Sequence, residues 1–213
     1  MFNRELFNFV VIKNNEYFAE YLELIKHKIE EHSRKYKEEE ERIADEITSR
    51  GGDLEYDYDP EMLTDFEVDQ YEVQQMMYKS FVVSIFISME YFTAEICEAL
   101  RSEKGQLFSF KDMAGTGIGR SIKYLEKILG EHPIRDSSIR EQFEIAWKVR
   151  NAVVHADGTI KKEDSPRLEK FIKKNSGLLR IEYGQVVSFA YPYAESLVKL
   201  HPQFVKALQS HLH

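Results

Sequence analysis

The sequence predicts an all-α protein: an antiparallel helical bundle with a long N-terminal helical arm and a small β-hairpin before the C-terminal helix. The 213 residues include only ten glycines and five prolines, which argues against a loop-rich β fold or a disordered chain. Long stretches also repeat apolar residues at alternating steps of three and four, the spacing of one helix face. The single cysteine, Cys97, excludes an intramolecular disulfide framework and a cysteine-based zinc site.

The first long helix is predicted from Asn14 to about Arg50, because an amphipathic stripe runs through this segment. Gly51-Gly52 follows it and is typical of a helix C-terminus. The next residues, Asp53–Asp65, are strongly acidic and indicate a loop-like connection.

We therefore predict two parts, an arm with its connection over residues 1–65 and a bundle over residues 66–213, and expect the bundle to fold without the arm. The segment Glu38–Glu72 contains 15 acidic and two basic residues, so the remaining residues carry 27 basic and 22 acidic side chains. The acidic segment is either a solvated helix face with a loop, or an element that guards a basic site or meets a basic partner.

The second helix is predicted from Phe66 to about Lys104. Between Phe81 and Ile96 its apolar residues cover nearly the whole circumference, which indicates a helix at the centre of the bundle. The longest apolar run, Phe81–Met89, is far shorter than a bilayer-spanning segment. Polar residues also interrupt Met1–Lys13, so a secretory signal is not expected there. We expect a soluble, cytoplasmic protein.

The remaining elements are shorter. The glycine-rich stretch Ala114–Gly119 suggests a phosphate loop, but no strand precedes it and no Gly-Lys-Ser/Thr follows, which favours a turn at a helix N-terminus. The predicted elements are a helix over Arg120–Leu129, a helix from an N-cap at Ser137 or Ser138 to about His155, a helix over Ser165–Lys174, strands over Leu178–Tyr183 and Gln185–Phe189, and a final helix over Tyr193–His211.

The candidate catalytic residues are Arg150, Asn151 and His155, in the segment Trp147–Gly158. They offer a permanent cation, a hydrogen-bonding amide and a side chain that exchanges protons near neutral pH. An imidazole can take the proton of a ribose 2′-hydroxyl, and a guanidinium can stabilise the charge that develops on phosphorus. This set is sufficient to cleave a phosphodiester by transesterification without a metal ion.

Helix geometry sets a condition on this site. Asn151 and His155 lie one turn apart on the same face, whereas Arg150 and His155 are about 140° apart around the axis. A long arginine side chain that reaches round, a frayed last turn or a second copy of the helix across a two-fold axis would bring them together. The spacing therefore favours a site at a dimer interface.

The segment Arg150-Asn151-Ala-Val-Val-His155 resembles the Arg-polar-x-x-x-His motif of HEPN domains, a superfamily of helical bundles that includes many ribonucleases. The order of the predicted elements over roughly Gln70–Gln209 is also similar to that of HEPN proteins. The resemblance implies a homodimer in which both motif helices line one cleft. It further implies a metal-independent endoribonuclease that leaves a 2′,3′-cyclic phosphate and a 5′-hydroxyl.

By this resemblance, Arg150 would stabilise the scissile phosphate, Asn151 would orient it, and His155 would act as general base or acid. RNA is then the expected substrate, and no cofactor or metal is expected. The resemblance also implies a role in a toxin–antitoxin or anti-phage system, with an antitoxin or regulatory protein as partner. Similar proteins often carry an acidic residue at the position of Glu90, although this residue is equally a salt-bridge partner within a bundle. Asp157 stands where antitoxin-modified HEPN toxins carry a tyrosine, which argues against control by nucleotidylation.

Two alternatives remain open. The first is a non-catalytic HEPN dimer that binds a protein or nucleotide, with His155 interacting with the dipole of its helix and Arg150 paired with a bundle carboxylate. The second is a scaffold whose acidic arm is the functional part.

A set of basic residues lies downstream of the motif. It either follows an RNA backbone or is a solvated helix face, and it comprises Lys161, Lys162, Arg167, Lys170, Lys173 and Lys174.

Overall fold

The computed structural model describes residues 3–52, 60–130, 134, 136–156, 158–175, 177–182 and 185–210. It confirms the predicted all-α helical bundle: within those residues there are six α-helices and one two-stranded sheet. The helices are α1 (Arg4–Ser49), α2 (Pro60–Glu103), α3 (Gly117–Lys127), α4 (Ser137–Ala156), α5 (Ser165–Lys174) and α6 (Tyr191–Gln209), and the strands are β1 (Leu179–Glu182) and β2 (Gln185–Phe189).

Helices α1 and α2 pack against each other in antiparallel directions. The rings of Phe7 and Phe92 meet edge to face at 5.2 Å between centroids, and those of Phe18 and Phe81 at 6.1 Å. As the residue number rises along α1, its partner's number falls along α2. Edge-to-face geometry brings the positive ring edge against the negative ring face, which favours these pairs beyond the apolar area they bury.

Both long helices begin earlier than the sequence predicted. Helix α1 begins at Arg4, ten residues before the predicted start, because the Asn3 side chain accepts a hydrogen bond of 2.9 Å from the Leu6 amide and caps the helix. Helix α2 begins at Pro60, inside the predicted acidic loop. Proline suits the first position of a helix, where the amide hydrogen that it lacks has no intrahelical acceptor. Residues 53–59 of the connection lie outside the described residues.

The N-terminal half of α1 contributes to the main hydrophobic core, which it shares with α2, α4 and α6. Its buried residues are Phe7, Val11, Leu22 and Ile25. Beyond Ile25 no residue of α1 is buried, and pairs such as Arg42 with Glu39 lie on its solvent-exposed surface. The division after residue 65 stays a prediction, but this packing places part of the arm in the core that the bundle needs.

Helix α2 is the centre of the bundle, as predicted. Phe81, Val82, Ile85, Met89 and Ile96 are fully buried. By length and composition, Glu67–Glu103 is the one helical stretch among the described residues that could cross a membrane. Half of its most apolar window is buried inside the protein, as in the core helix of a soluble protein.

A buried glutamine of the bundle forms hydrogen bonds with the β-hairpin. Gln75 of α2 accepts a hydrogen bond of 2.7 Å from the Phe189 amide through Oε1, and its Nε2 donates to the Phe189 carbonyl at 3.5 Å. A side-chain amide thus satisfies both backbone groups of Phe189, as a third strand would. The two strands pair antiparallel, with an irregularity between Arg180 and Ile181.

His201 of α6 is a fully buried histidine in the core. Its ring packs against Phe18 and Phe92, and its Nε2 forms a hydrogen bond of 3.0 Å with the Ser88 hydroxyl. Nδ1 has no partner among the described residues. Because burial removes water from around the imidazole, it disfavours the charged form and lowers the pKa of His201 from 6.5 to about 4.

We expect acidification to destabilise the protein through His201. Between pH 6.5 and pH 4 the unfolded chain protonates this residue and the folded chain does not, so about 3 kcal/mol of stability is lost across that window and little more below it. Urea denaturation at pH 7.5 and about pH 4.5 measures the loss. His201→Gln removes the titration and should reduce the loss, whereas His27→Gln, an exposed control, should not. An equal loss in all three proteins would contradict the prediction.

Candidate active site

One open cleft contains all three candidate catalytic residues. Arg150, Asn151 and His155 line a cavity of about 360 Å³ between α2, α4 and the start of α3. Glu90 of α2 lines the same cavity. The structure therefore brings the predicted triad together within a single chain, beside the acidic residue singled out from the sequence.

The two ends of α4 are fixed by separate capping interactions. At its start, the Asp136 carboxylate accepts hydrogen bonds from the Ser138 and Ile139 amides at 2.7 and 3.3 Å. Asp136 is thus the N-cap, and the predicted cap at Ser137 or Ser138 is wrong, because an aspartate one position earlier reaches the same free amides. At its end, Gly158 has a φ of 86° and donates to the Ala152 carbonyl at 2.9 Å. This turn ends the helix just after His155.

The Arg150 side chain bends toward the face of α4 that carries Asn151. Its Nη1 donates a hydrogen bond of 3.1 Å to Asn151 Oδ1. This hydrogen bond directs the guanidinium toward the residue that shares a helix face with His155. Among the described residues no carboxylate forms an ion pair with Arg150, so the predicted alternative of a bundle salt bridge is not seen there. His155 is exposed in the last turn of α4.

The glycine-rich stretch forms the wall opposite α4. Thr116 is the N-cap of α3, and Gly117 is its first residue, so the predicted turn at a helix N-terminus is confirmed. Gly117 has a φ of 62°, which favours glycine. A Cβ at this position would lie 3.1 Å from Glu90 Oε2. The glycine thus lets the Glu90 carboxylate approach the N-terminus of α3, where the helix dipole favours a negative charge.

Gly119 joins α3 to α4 through Trp147. A Cβ on Gly119 would lie 2.7 Å from two atoms of the Trp147 indole, so only glycine permits this contact. The indole also stacks on Phe143 at 5.9 Å between centroids. Sequence reasoning did not assign Trp147 or Gly119 to the site. The spacing from Trp147 to Arg150 and Asn151, three and four residues, was the signal that places the indole on the same helix face.

Part of the predicted basic set approaches this region. Arg167, Lys170 and Lys174 lie on one face of α5 and line neighbouring cavities, while Arg167 also pairs with Glu144 of α4.

In the described part of the chain, no group of three or more His, Cys, Asp or Glu side chains is arranged to hold a metal ion.

Comparison of the chain with models of known protein families, with curated proteins and with solved structures finds no significant match.

Proposed function

We propose that this protein is a metal-independent endoribonuclease of the HEPN type that acts as a homodimer. The observation that carries the proposal is the shared cleft, in which a guanidinium, an amide and an exposed imidazole from one helix border the same opening. All three groups are accessible to a strand that enters the opening, which a purely structural role would not require.

In the proposed reaction, a neutral His155 takes the proton of a ribose 2′-hydroxyl, and that oxygen attacks the adjacent phosphorus. The new bond from O2′ to phosphorus forms as the bond from phosphorus to O5′ breaks, which leaves a 2′,3′-cyclic phosphate. Arg150 stabilises the charge on the phosphate oxygens, and Asn151 holds the guanidinium in place and orients the phosphate. The leaving 5′ oxygen takes a proton from an imidazolium. A dimer supplies two His155 side chains, one for each proton transfer.

Exposed apolar residues beside the cleft support a dimer interface at this position. Ile87 and Tyr91 of α2 are 60% and 56% exposed, and they neighbour Phe86 and Glu90, which line the cleft. Val154, adjacent to His155, is 42% exposed. A second copy packed over this patch would remove apolar surface from water and bring two motif helices together.

We expect Ile87→Glu to dissociate the dimer, because a carboxylate buried at the interface would lose its hydration. Met76→Glu is the matched control, since Met76 lies on the same helix and is 67% exposed, outside the patch. Sedimentation equilibrium should show that Ile87→Glu weakens association at least tenfold, about 1.4 kcal/mol. Met76→Glu should leave the association constant of the wild type unchanged. Equal association constants for both variants and the wild type would place the interface elsewhere.

The decisive experiment is incubation of mixed cellular RNA with the protein in EDTA, followed by mapping of the product ends. The proposal predicts cleavage that persists without divalent metals, with 2′,3′-cyclic phosphate and 5′-hydroxyl ends. Intact RNA, or cleavage that EDTA abolishes, would refute it. We also propose a cytoplasmic location. The resemblance to HEPN domains further suggests a toxin–antitoxin or anti-phage role, with an antitoxin or regulatory protein as partner.

A further inference from the structure

A second cavity adjoins the catalytic cleft and shares part of its wall. It has a volume of about 560 Å³, and Gly119, Trp147 and Asn151 line both spaces. Trp147 is half-buried. Phe143 stacks on one face of the indole, and the part of the ring that borders this space can stack on a nucleobase, as aromatic side chains do without regard to sequence. We refer to this second space as the Trp147 cavity.

A third cavity continues from the Trp147 cavity along α5. Its volume is about 580 Å³, and Arg167 lines both. Lys170 and Lys174 also line it. The steps of three and four residues place these three cations on one face of α5 over about 10 Å of helix. We refer to Arg167, Lys170 and Lys174 as the α5 cation row.

The charge along this route favours a polyanion. The two cavities beyond the cleft are lined by six cations and four carboxylates. Glu144 pairs with Arg167 and Asp164 pairs with Lys148, which leaves four cations and two carboxylates without an ion pair to any described residue. Lys170 and Lys174 are exposed and form no ion pair with any described residue. Their ammonium groups can therefore meet phosphate without first leaving a carboxylate.

We propose that the RNA strand leaves the Arg150–His155 cleft through the Trp147 cavity, where a base stacks on the indole, and continues along the α5 cation row, which holds its phosphates. This inference rests on the proposed ribonuclease function and adds the path of the substrate. It predicts that the enzyme binds several nucleotides on one side of the scissile bond and does not bind the cleavage point alone.

The first test measures binding of a fluorescein-labelled 12-nucleotide RNA by fluorescence anisotropy. The protein carries His155→Ala so that the RNA stays intact. Adding Lys170→Ala and Lys174→Ala should raise Kd about tenfold at low salt and reduce the slope of log Kd against log salt by about 1.4, since each single-strand phosphate contact contributes about 0.7. The control pair Lys173→Ala and Lys206→Ala makes the same charge change at exposed lysines that line neither cavity.

The second test compares cleavage of the 12-nucleotide RNA with cleavage of a dinucleotide that reaches only the cleft. With His155 intact, Lys170→Ala/Lys174→Ala should lower kcat/KM for the longer RNA and leave the dinucleotide unchanged. If both lysine pairs weaken RNA binding equally, or if neither does, the path is wrong while the ribonuclease proposal stands. If the wild-type protein neither binds nor cleaves RNA, both proposals fail.

Discussion

His155→Ala should abolish RNA cleavage and leave the fold intact. A general base or acid typically contributes a factor of about 10² to 10⁴ to the rate, and His155 is expected to serve in both proton transfers of the dimer, so we expect a loss of at least about 10³ in kcat/KM. The measurement is cleavage of a labelled RNA in EDTA. His155 is exposed and forms no hydrogen bond with any described residue. Its removal should therefore change the free energy of unfolding by less than about 0.5 kcal/mol.

Two comparisons make this result specific to the site. His32→Ala removes an exposed histidine of α1, far along the chain from the cleft, and should keep full activity. Arg150→Lys retains the positive charge but loses the planar guanidinium that bonds Asn151, so it should retain only part of the activity. Unchanged cleavage in His155→Ala would mean that the cleft is not catalytic. An unfolded His155→Ala protein would instead favour the structural alternative.

The largest expected effect on stability comes from α1. Leu22 is 2% exposed and Leu24 is 67% exposed, although they lie two residues apart on the same helix. Leu22→Ala leaves a cavity in the core and should cost about 2–5 kcal/mol. Leu24→Ala removes a side chain that is already in water and should cost less than about 0.5 kcal/mol. Urea denaturation monitored by circular dichroism gives both values. Similar costs for the two variants would show that α1 does not pack as described.

Deletion of Met1–Asp65 should then unfold the protein, contrary to the expectation from the sequence alone. The deletion removes the four apolar residues that are buried in the described part of α1, each contributing roughly 1.5–3 kcal/mol, and whole domains are typically stable by only about 5–15 kcal/mol. It also leaves Phe81 and Phe92 without their ring partners on α1. A truncated chain that unfolds cooperatively with the urea midpoint of the full protein would restore the two-part division.

Much of the fold was predictable, because hydrophobic periodicity is a local signal. It located the cores of the six helices and two strands that the structure describes, and it placed α2 at the centre. The start of α1 was missed because polar residues interrupt Met1–Lys13, yet Phe7 and Val11 continue the same face toward Phe18. The early start of α2 was missed because proline and acidic residues suggest a loop, although both are also common in the first turn of a helix.

Only the α4 wall of the candidate site was predictable from the sequence. The motif identifies Arg150, Asn151 and His155 because all three lie within six consecutive residues. The opposite wall depends on contacts between distant segments, such as Gly119 with Trp147 and Gly117 with Glu90. A glycine-rich segment predicts a tight turn of the backbone, but its sequence does not indicate which side chain packs against that turn.

The position of Trp147 has a practical consequence. It is the single tryptophan of the chain, and it lies in the wall between the cleft of Arg150, Asn151 and His155 and the adjoining cavity. Its emission, excited selectively at the red edge of protein absorbance, therefore reports from one known place without any attached dye. A quencher or a nucleobase that enters either space should change the fluorescence intensity of Trp147, so this intrinsic fluorescence reports whether the two spaces are occupied.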